Sequence, residues 1–147
     1  MFGVFTVQEE VGSRGAMTGA FQVEPDLGIA IDVTPTGDVP KPSPSPVKLG
    51  AGPAIKVRDT GHIVPGWIKN LMIQRAEDAG IPYQLEVMQV GTTDAATMQL
   101  VRAGIPSGAI SIPTRNVHTR SEIALLGDIE GTVDLLVAVL RGEIERP

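Results

Sequence analysis

A chain of 147 residues, 42% of them apolar, is long enough to close one hydrophobic core, and no run in it approaches the roughly 18 to 20 apolar residues that a membrane span needs. Cysteine is absent, which excludes a thiol nucleophile, thiolate metal ligands and disulfides, and leaves carboxylates, two His and hydroxyls to carry any chemistry. A net charge of −5, scattered basic residues and few aromatics argue against nucleic acid as a partner, and the N-terminus lacks the basic start and cleavage site of a signal peptide, so the cytoplasm is the expected location.

The first apolar run, residues 2–7, is rich in β-formers and stops at Gln8-Glu9-Glu10, which predicts a buried strand delivering two carboxylates at its end. Residues 13–22 read as a short helix capped by Ser13, with Ala16, Met17 and Ala20 as a narrow apolar stripe. Residues 27–31 form a second strand stopped by Asp32, after which Thr34-Pro35-Thr36-Gly37 turns the chain. The Pro-Ser stretch 41–46 reads as an exposed loop, because Pro removes donors and fixes extended geometry.

Residues 55–58 and 84–90 alternate apolar with polar, as strands with one solvated face or at a sheet edge do. Between them residues 67–79 read as a helix through Ile68, Leu71, Met72 and Ala79, ended by Gly80 as a left-handed cap and by Ile81-Pro82. Residues 94–103 end the same way in Gly104-Ile105-Pro106, and this shared helix-stop chemistry explains the twin Ala-Gly-Ile-Pro strings without a duplication. Residues 109–112 make a further strand closed by Pro113. In the last helix Asp128 caps, and Ile129, Val133, Leu136, Val137 and Leu140 make one apolar face that should pack on the sheet. The alternation predicts an α/β fold, a three-layer sandwich with a mixed, largely parallel sheet, whose ligands collect at the carboxyl ends of the strands.

Two adjacent carboxylates at a strand end, Glu9 and Glu10, have a bland reading as a solvated turn and a functional one. Successive side chains on an extended segment point opposite ways, so one carboxylate can grip a cation while the other removes a proton from water. Asp32 repeats the placement, either as a turn former or as a ligand, and His118 follows the 109–112 strand toward the same sheet edge. One His and two carboxylates suit zinc, cobalt or manganese better than calcium. His62 has no acid at ligand spacing and reads as a surface or packing residue. Thr93 or Asp94 caps the following helix, and Gly91-Thr92-Thr93-Asp94 also offers amides for a substrate group. Arg115 and Arg120 flank His118, as ordinary exposed Arg or as carboxylate binders.

Together these strings, Gln8-Glu9-Glu10-Val11-Gly12, Ala30-Ile31-Asp32-Val33-Thr34, Gly50-Ala51-Gly52-Pro53, Thr93-Asp94-Ala95 and Pro113-Thr114-Arg115-Asn116-Val117-His118, resemble the glutamyl, lysyl and deblocking aminopeptidases that assemble into hollow tetrahedral particles, a family often mislabelled endoglucanase. The resemblance implies Glu9 as general base, Glu10 and His118 as ligands of one metal, and Asp32 as a ligand of another. It implies Thr93, Asp94 and Arg115 beside the substrate, and removal of N-terminal residues from short peptides by a metal-activated water. Zinc or cobalt would fill both positions of the complete site, and one or none in this chain.

Family members are more than twice as long, and their upstream half supplies a His ligand, a bridging Asp and an inserted dimerisation domain. Residues 1–147 are therefore expected to be the C-terminal part of the catalytic domain, inactive alone. A homo-oligomer, or a chain supplying the missing half, is the expected partner; the alternative is a non-catalytic remnant or interaction subunit that keeps the fold. Thr92 where the family has Gly, Asn116 where it has an aromatic and Arg120 where Pro is common alter the expected pocket.

Overall fold

The computed structural model describes residues 1–40 and 44–145, so part of the Pro-Ser stretch, residues 41–43, lies outside the described residues. In chain order the elements are α1 (Arg14–Val23), β1 (Gly28–Pro35), β2 (Ala54–Arg58), α2 (Gly66–Asp78), β3 (Gln84–Val87), α3 (Asp94–Met98), β4 (Ser107–Arg115), β5 (Ile123–Ala124) and α4 (Leu126–Arg141). The strand order is β1-β4-β2-β3, with β5 on the end of β4. Parallel ladders join β1 to β4 and β2 to β3, and shorter antiparallel ones join β4 to β2 and β5. The α/β class and the mixed, largely parallel sheet are as the sequence predicts.

Side chains alternate across a strand, and the two faces of β1 and β4 accordingly feed two layers of helix. Ile29 and Ile110 join Ile55, Ile68, Met72, Leu135 and Val139 under α2 and α4. Ala30 and Ala109 face the other way, against Ala95 and Met98 of α3, with α1 packed beyond. Small residues on that face let α3 approach closely.

Several boundaries differ from the expectations. Residues 2–7 form no strand: Phe2, Val4, Phe5 and Val7 are exposed, because no strand among the described residues pairs with them. β1 runs through Asp32 to Pro35, since its ladder with β4 continues to Pro35↔Thr114, and Asp32 lies within the strand rather than at its end. β4 likewise passes Pro113, because its ladder with β2 takes only Ile110 and Ser111 and needs no amide there. The 84–90 and 94–103 segments are shorter than predicted, ending at Val87 and Met98.

Ser13 does precede α1 but in a left-handed conformation, with its hydroxyl turned to Glu9, and Met17 is exposed. Asp128 lies inside α4 rather than at its cap; its carboxylate accepts the amides of Gly50 at 2.7 Å and Gly52 at 2.9 Å. Those bonds rotate the helix, so that Asp128, Thr132, Leu135 and Val139 face the sheet, while Ile129, Val133 and Leu140 are exposed.

β2 was expected to have a solvated face, yet Lys56 is 0% exposed. Its ammonium lies 2.5 Å from Glu86 of β3, and the hydroxyl of Thr34 donates to the same carboxylate. The alternation of Lys56 and Glu86 with apolar neighbours is thus a buried ion pair across a parallel ladder. Removing one partner from such a pair costs about 3 to 5 kcal/mol, whereas replacing both by apolar groups is often neutral. Glu86→Gln is therefore expected to lower the urea unfolding free energy by about 3 kcal/mol, and Lys56→Met with Glu86→Leu to recover most of that loss.

Candidate active site

The N-terminal segment is held by one local backbone bond and one long-range side-chain bond instead of strand pairing. Gly15 donates its amide to Val7 O at 2.9 Å, and any side chain at Gly15 would collide with the Val7 backbone. Thr6 donates its hydroxyl to Asp94 at 2.7 Å. Between these anchors Glu9–Val11 form a single 3-10 turn bounded by left-handed Gln8 (φ 60°) and Gly12, with Ser13 (φ 49°) following. The turn, and not a strand end, presents Glu9 and Glu10.

His118 reaches the same place from the end of β4. Asn116 (φ 58°) and His118 (φ 65°) are both left-handed, and the His118 amide donates to Glu122 at 2.6 Å. The imidazole Nε2 then lies 3.2 Å from Glu10 Oε1. Of the six non-glycine residues with positive φ among those described, Gln8, Ser13, Asn116 and His118 bracket this contact. Such conformations cost energy and collect where a site over-determines the backbone. Both side chains are more than 70% exposed, and an exposed pair contributes at most about 1 kcal/mol, so stability alone does not account for the arrangement.

Glu9, Glu10, Asp32 and His118 line one cavity of about 560 Å³, with Glu86 and Thr92 on its other sides. This is a volume suited to a small ligand or the end of a peptide. Asp32 enters from the middle of β1, its carboxylate accepting the Val33 amide at 2.7 Å. The other expected residues are placed differently. Thr93 is buried and accepts the Ala95 amide as the cap of α3, Asp94 is bonded to Thr6, and Arg115 pairs with Asp38 at 2.6 Å; none of the three lines the cavity. The bidentate Arg115 guanidinium holds the Asp38 carboxyl well below the usual carboxylate range and fastens the loop after β1.

The cavity is an anionic one. Burial, followed by the charges of Asp32, Asp94 and Glu10, pushes the Glu9 carboxyl up from its ordinary value of 4.5. Burial also raises Asp32, against the lowering effect of the Val33 amide and of Lys56. Among the described residues no three His, Asp or Glu side chains close on one point as a metal ligand set. Glu10 and His118 stand 3.2 Å apart, close to the roughly 3.3 to 3.6 Å that separates two ligands lying about 2.0 to 2.2 Å from a tetrahedral cation. The donor types of this pair suit a zinc-like ion as two ligands.

The sequence model of the M42 glutamyl aminopeptidases matches residues 1–135. The chain belongs to the M42 aminopeptidase family. A putative aminopeptidase of Acetivibrio thermocellus is 50% identical over 140 residues, 95% of this chain and 42% of its own length. The lysyl aminopeptidase of Pyrococcus furiosus is 36% identical over 138 residues, 93% of this chain and 39% of its own. An aminopeptidase from the archaeon Desulfurococcus kamchatkensis superposes with a TM-score of 0.86 at 42% identity, over 92% of this chain and 39% of that one. This M42 chain thus spans about two fifths of the length of the relatives it matches.

Sequence reasoning missed Glu86 in the lining of the cavity and Lys56 beside it, while Thr92 lines it as the reading of residues 91–94 allowed. Glu86 and Lys56 pass for solvent-facing positions of alternating strands, and only their register across β2 and β3 joins them. Because the charge on Asp32 helps to raise Glu9, the uncharged Asp32→Asn variant is expected to bring the Glu9 carboxyl pKa down toward 4.5, measured by carboxyl-detected NMR titration of the metal-free chain.

Proposed function

We propose that this chain carries one side of the catalytic centre of a metal-dependent aminopeptidase that removes N-terminal residues from short peptides. The observation that supports the reading is the meeting of Glu10 with His118 in a cavity that also holds Glu9 and Asp32. Glu10 and His118 would hold one divalent cation, zinc or cobalt, and Asp32 would be a ligand at the second position. When bound, the cations polarise the scissile carbonyl and lower the pKa of water toward about 7.

Glu9 serves as the general base. Its raised pKa makes it a better proton acceptor than an ordinary carboxylate, and a proton taken from water can be handed on to the leaving amine. The anionic lining draws in the substrate's α-ammonium group. The exposed backbone at Gly91 and Thr92 forms the wall against which the first peptide residue rests. Thr93 caps the helix behind that wall, Asp94 anchors the Glu9 turn through Thr6, and Arg115 steadies the facing loop through Asp38; in this reading all three act on the substrate through what they position.

Two ligands are fewer than the three protein ligands of an ordinary catalytic zinc site, so the remaining ligands are proposed to come from polypeptide outside this sequence. An assembly of several copies is proposed on the likeness to the Pyrococcus horikoshii TET1 peptidase, described as forming a tetrahedron or a large octahedral shell; it is 31% identical over 95% of this chain and 40% of its own, with a TM-score of 0.76. A cytoplasmic setting is part of the same proposal; no helix among the described residues is long and apolar enough to cross a membrane. The two-ligand count also favours a second reading, a non-catalytic subunit that keeps the fold.

Metal content separates the two. In calorimetric titration with zinc or cobalt, the aminopeptidase reading expects binding that weakens at least tenfold in His118→Ala; binding indifferent to His118 and Glu10 would sink it. The chain alone is expected to leave amino-acyl p-nitroanilides intact. Together with polypeptide supplying the remaining ligands it should hydrolyse them, and Glu9→Gln should cut that rate by about 10² to 10⁴.

A further inference from the structure

The turn after β2 buries a carboxylate that the catalytic reading leaves unused. Asp59 is 2% exposed and His62 3%, and the backbone closes between them, the Asp59 amide donating to His62 O at 2.9 Å. Asp59 Oδ1 accepts two bonds, from the Gly61 amide at 2.8 Å and from the Thr92 hydroxyl at 2.9 Å. Thr60 adds two more contacts to the same segment: its hydroxyl and its amide both donate to Gly91 O, at 2.7 and 3.2 Å. From α3's end Gln99 donates to Gly61 O at 2.7 Å. Gly61 packs closely here, since a methyl in its place would lie 3.0 Å from both Thr92 Oγ1 and Ala96 Cβ.

Gly91 and Thr92 line the cavity, and they are held from behind by this turn. Burying a carboxylate is costly, and a turn by itself is served as well by neutral residues. Among the described residues Asp59 Oδ2 and His62 Nδ1 moreover find no hydrogen-bond partner, although both are buried in the same four-residue turn. Burial lowers the His62 pKa and the charge of Asp59 raises it, so the two groups sense one another. What the carboxylate visibly accomplishes is to reach across and accept the Thr92 hydroxyl.

We propose that Asp59 is a positioning residue that, with Thr60, fixes the Gly91-Thr92 wall of the cavity and so sets the space available to a peptide's first residue. The role of the wall rests on the aminopeptidase reading; the tie itself does not. Three bonds, Asp59 to the Thr92 hydroxyl and the Thr60 hydroxyl and amide to Gly91 O, join the turn to the wall.

The amide of Thr60, bonded to Gly91 O, reports on the tie in the 147-residue chain by NMR hydrogen exchange. Thr92→Val removes the hydroxyl alone and is expected to speed Thr60 exchange roughly tenfold, about the worth of one hydrogen bond. Asp59→Ala should do at least as much, and the double variant little more than Asp59→Ala, since both changes break one bond. Asp59→Asn keeps the acceptor and should restore Thr60 protection to within about twofold to threefold of the parent. The same variant should lower the His62 pKa, read from its ring signals, because the charge that raises it is gone. A Thr60 amide indifferent to Thr92→Val, effects that simply multiply in the double variant, or failure of Asn to restore protection would each overturn the assignment. None of these readouts needs turnover, so a failure of peptide hydrolysis leaves the result standing.

Discussion

β4 is paired along one side by β1 in a continuous parallel register and along the other by short antiparallel ladders to β2 and β5, and the positions of Asp32 and His118 in the cavity follow from that arrangement. The β1 ladder carries Asp32 to a point opposite Ser111 on the face that α3 covers. The same strand, running on past Pro113, aims its end at the Glu9-Glu10 turn. A slip of one residue in this pairing would turn Asp32 to the other face of the sheet, under α2 and α4, and empty the cavity of its acid. The Ala30↔Ala109 and Ile31↔Ile110 pairs guard against that slip, because exchanging them would drive isoleucine into the narrow gap beneath α3.

Charge is organised in two tiers around this frame. Below lies the buried ion pair of Lys56 and Glu86, bonded to Thr34 and reaching the cavity floor through Glu86. Above it Glu9, Glu10 and Asp32 share a cavity with His118 as the basic group among them. Mutual repulsion among those carboxylates is held in place by backbone geometry: left-handed residues on both sides of the Glu9–Val11 turn and at His118. Unfavourable charges and left-handed backbone gathered at one spot are the profile expected of a functional site. Membership of the M42 aminopeptidases gives that profile its chemical sense.

Much of the fold was legible from local rules. The helix ending at Gly80, the α/β alternation and the strands at Ile55 and Ile110 follow from periodicity and stop signals that depend only on near neighbours. The errors share one cause. Residues 2–7 have every intrinsic mark of a buried strand, but a strand exists only through a partner, and none pairs with them. The α4 face was misjudged because Asp128, whose sequence context reads as a cap, is instead recruited by the amides of Gly50 and Gly52.

Glu9, Glu10, Asp32 and His118 were singled out by the sequence as candidates, through their chemical types and through strings that resemble the aminopeptidase family. What the tertiary structure alone decided is which of them meet. Glu10 and His118 stand more than a hundred residues apart and touch only because a turn and a strand end converge, whereas Thr93, Asp94 and Arg115, expected beside the substrate, are engaged with Ala95, Thr6 and Asp38 instead. Residue type limits what a group can do; long-range pairing, which no local pattern encodes, selects the partner it does it with.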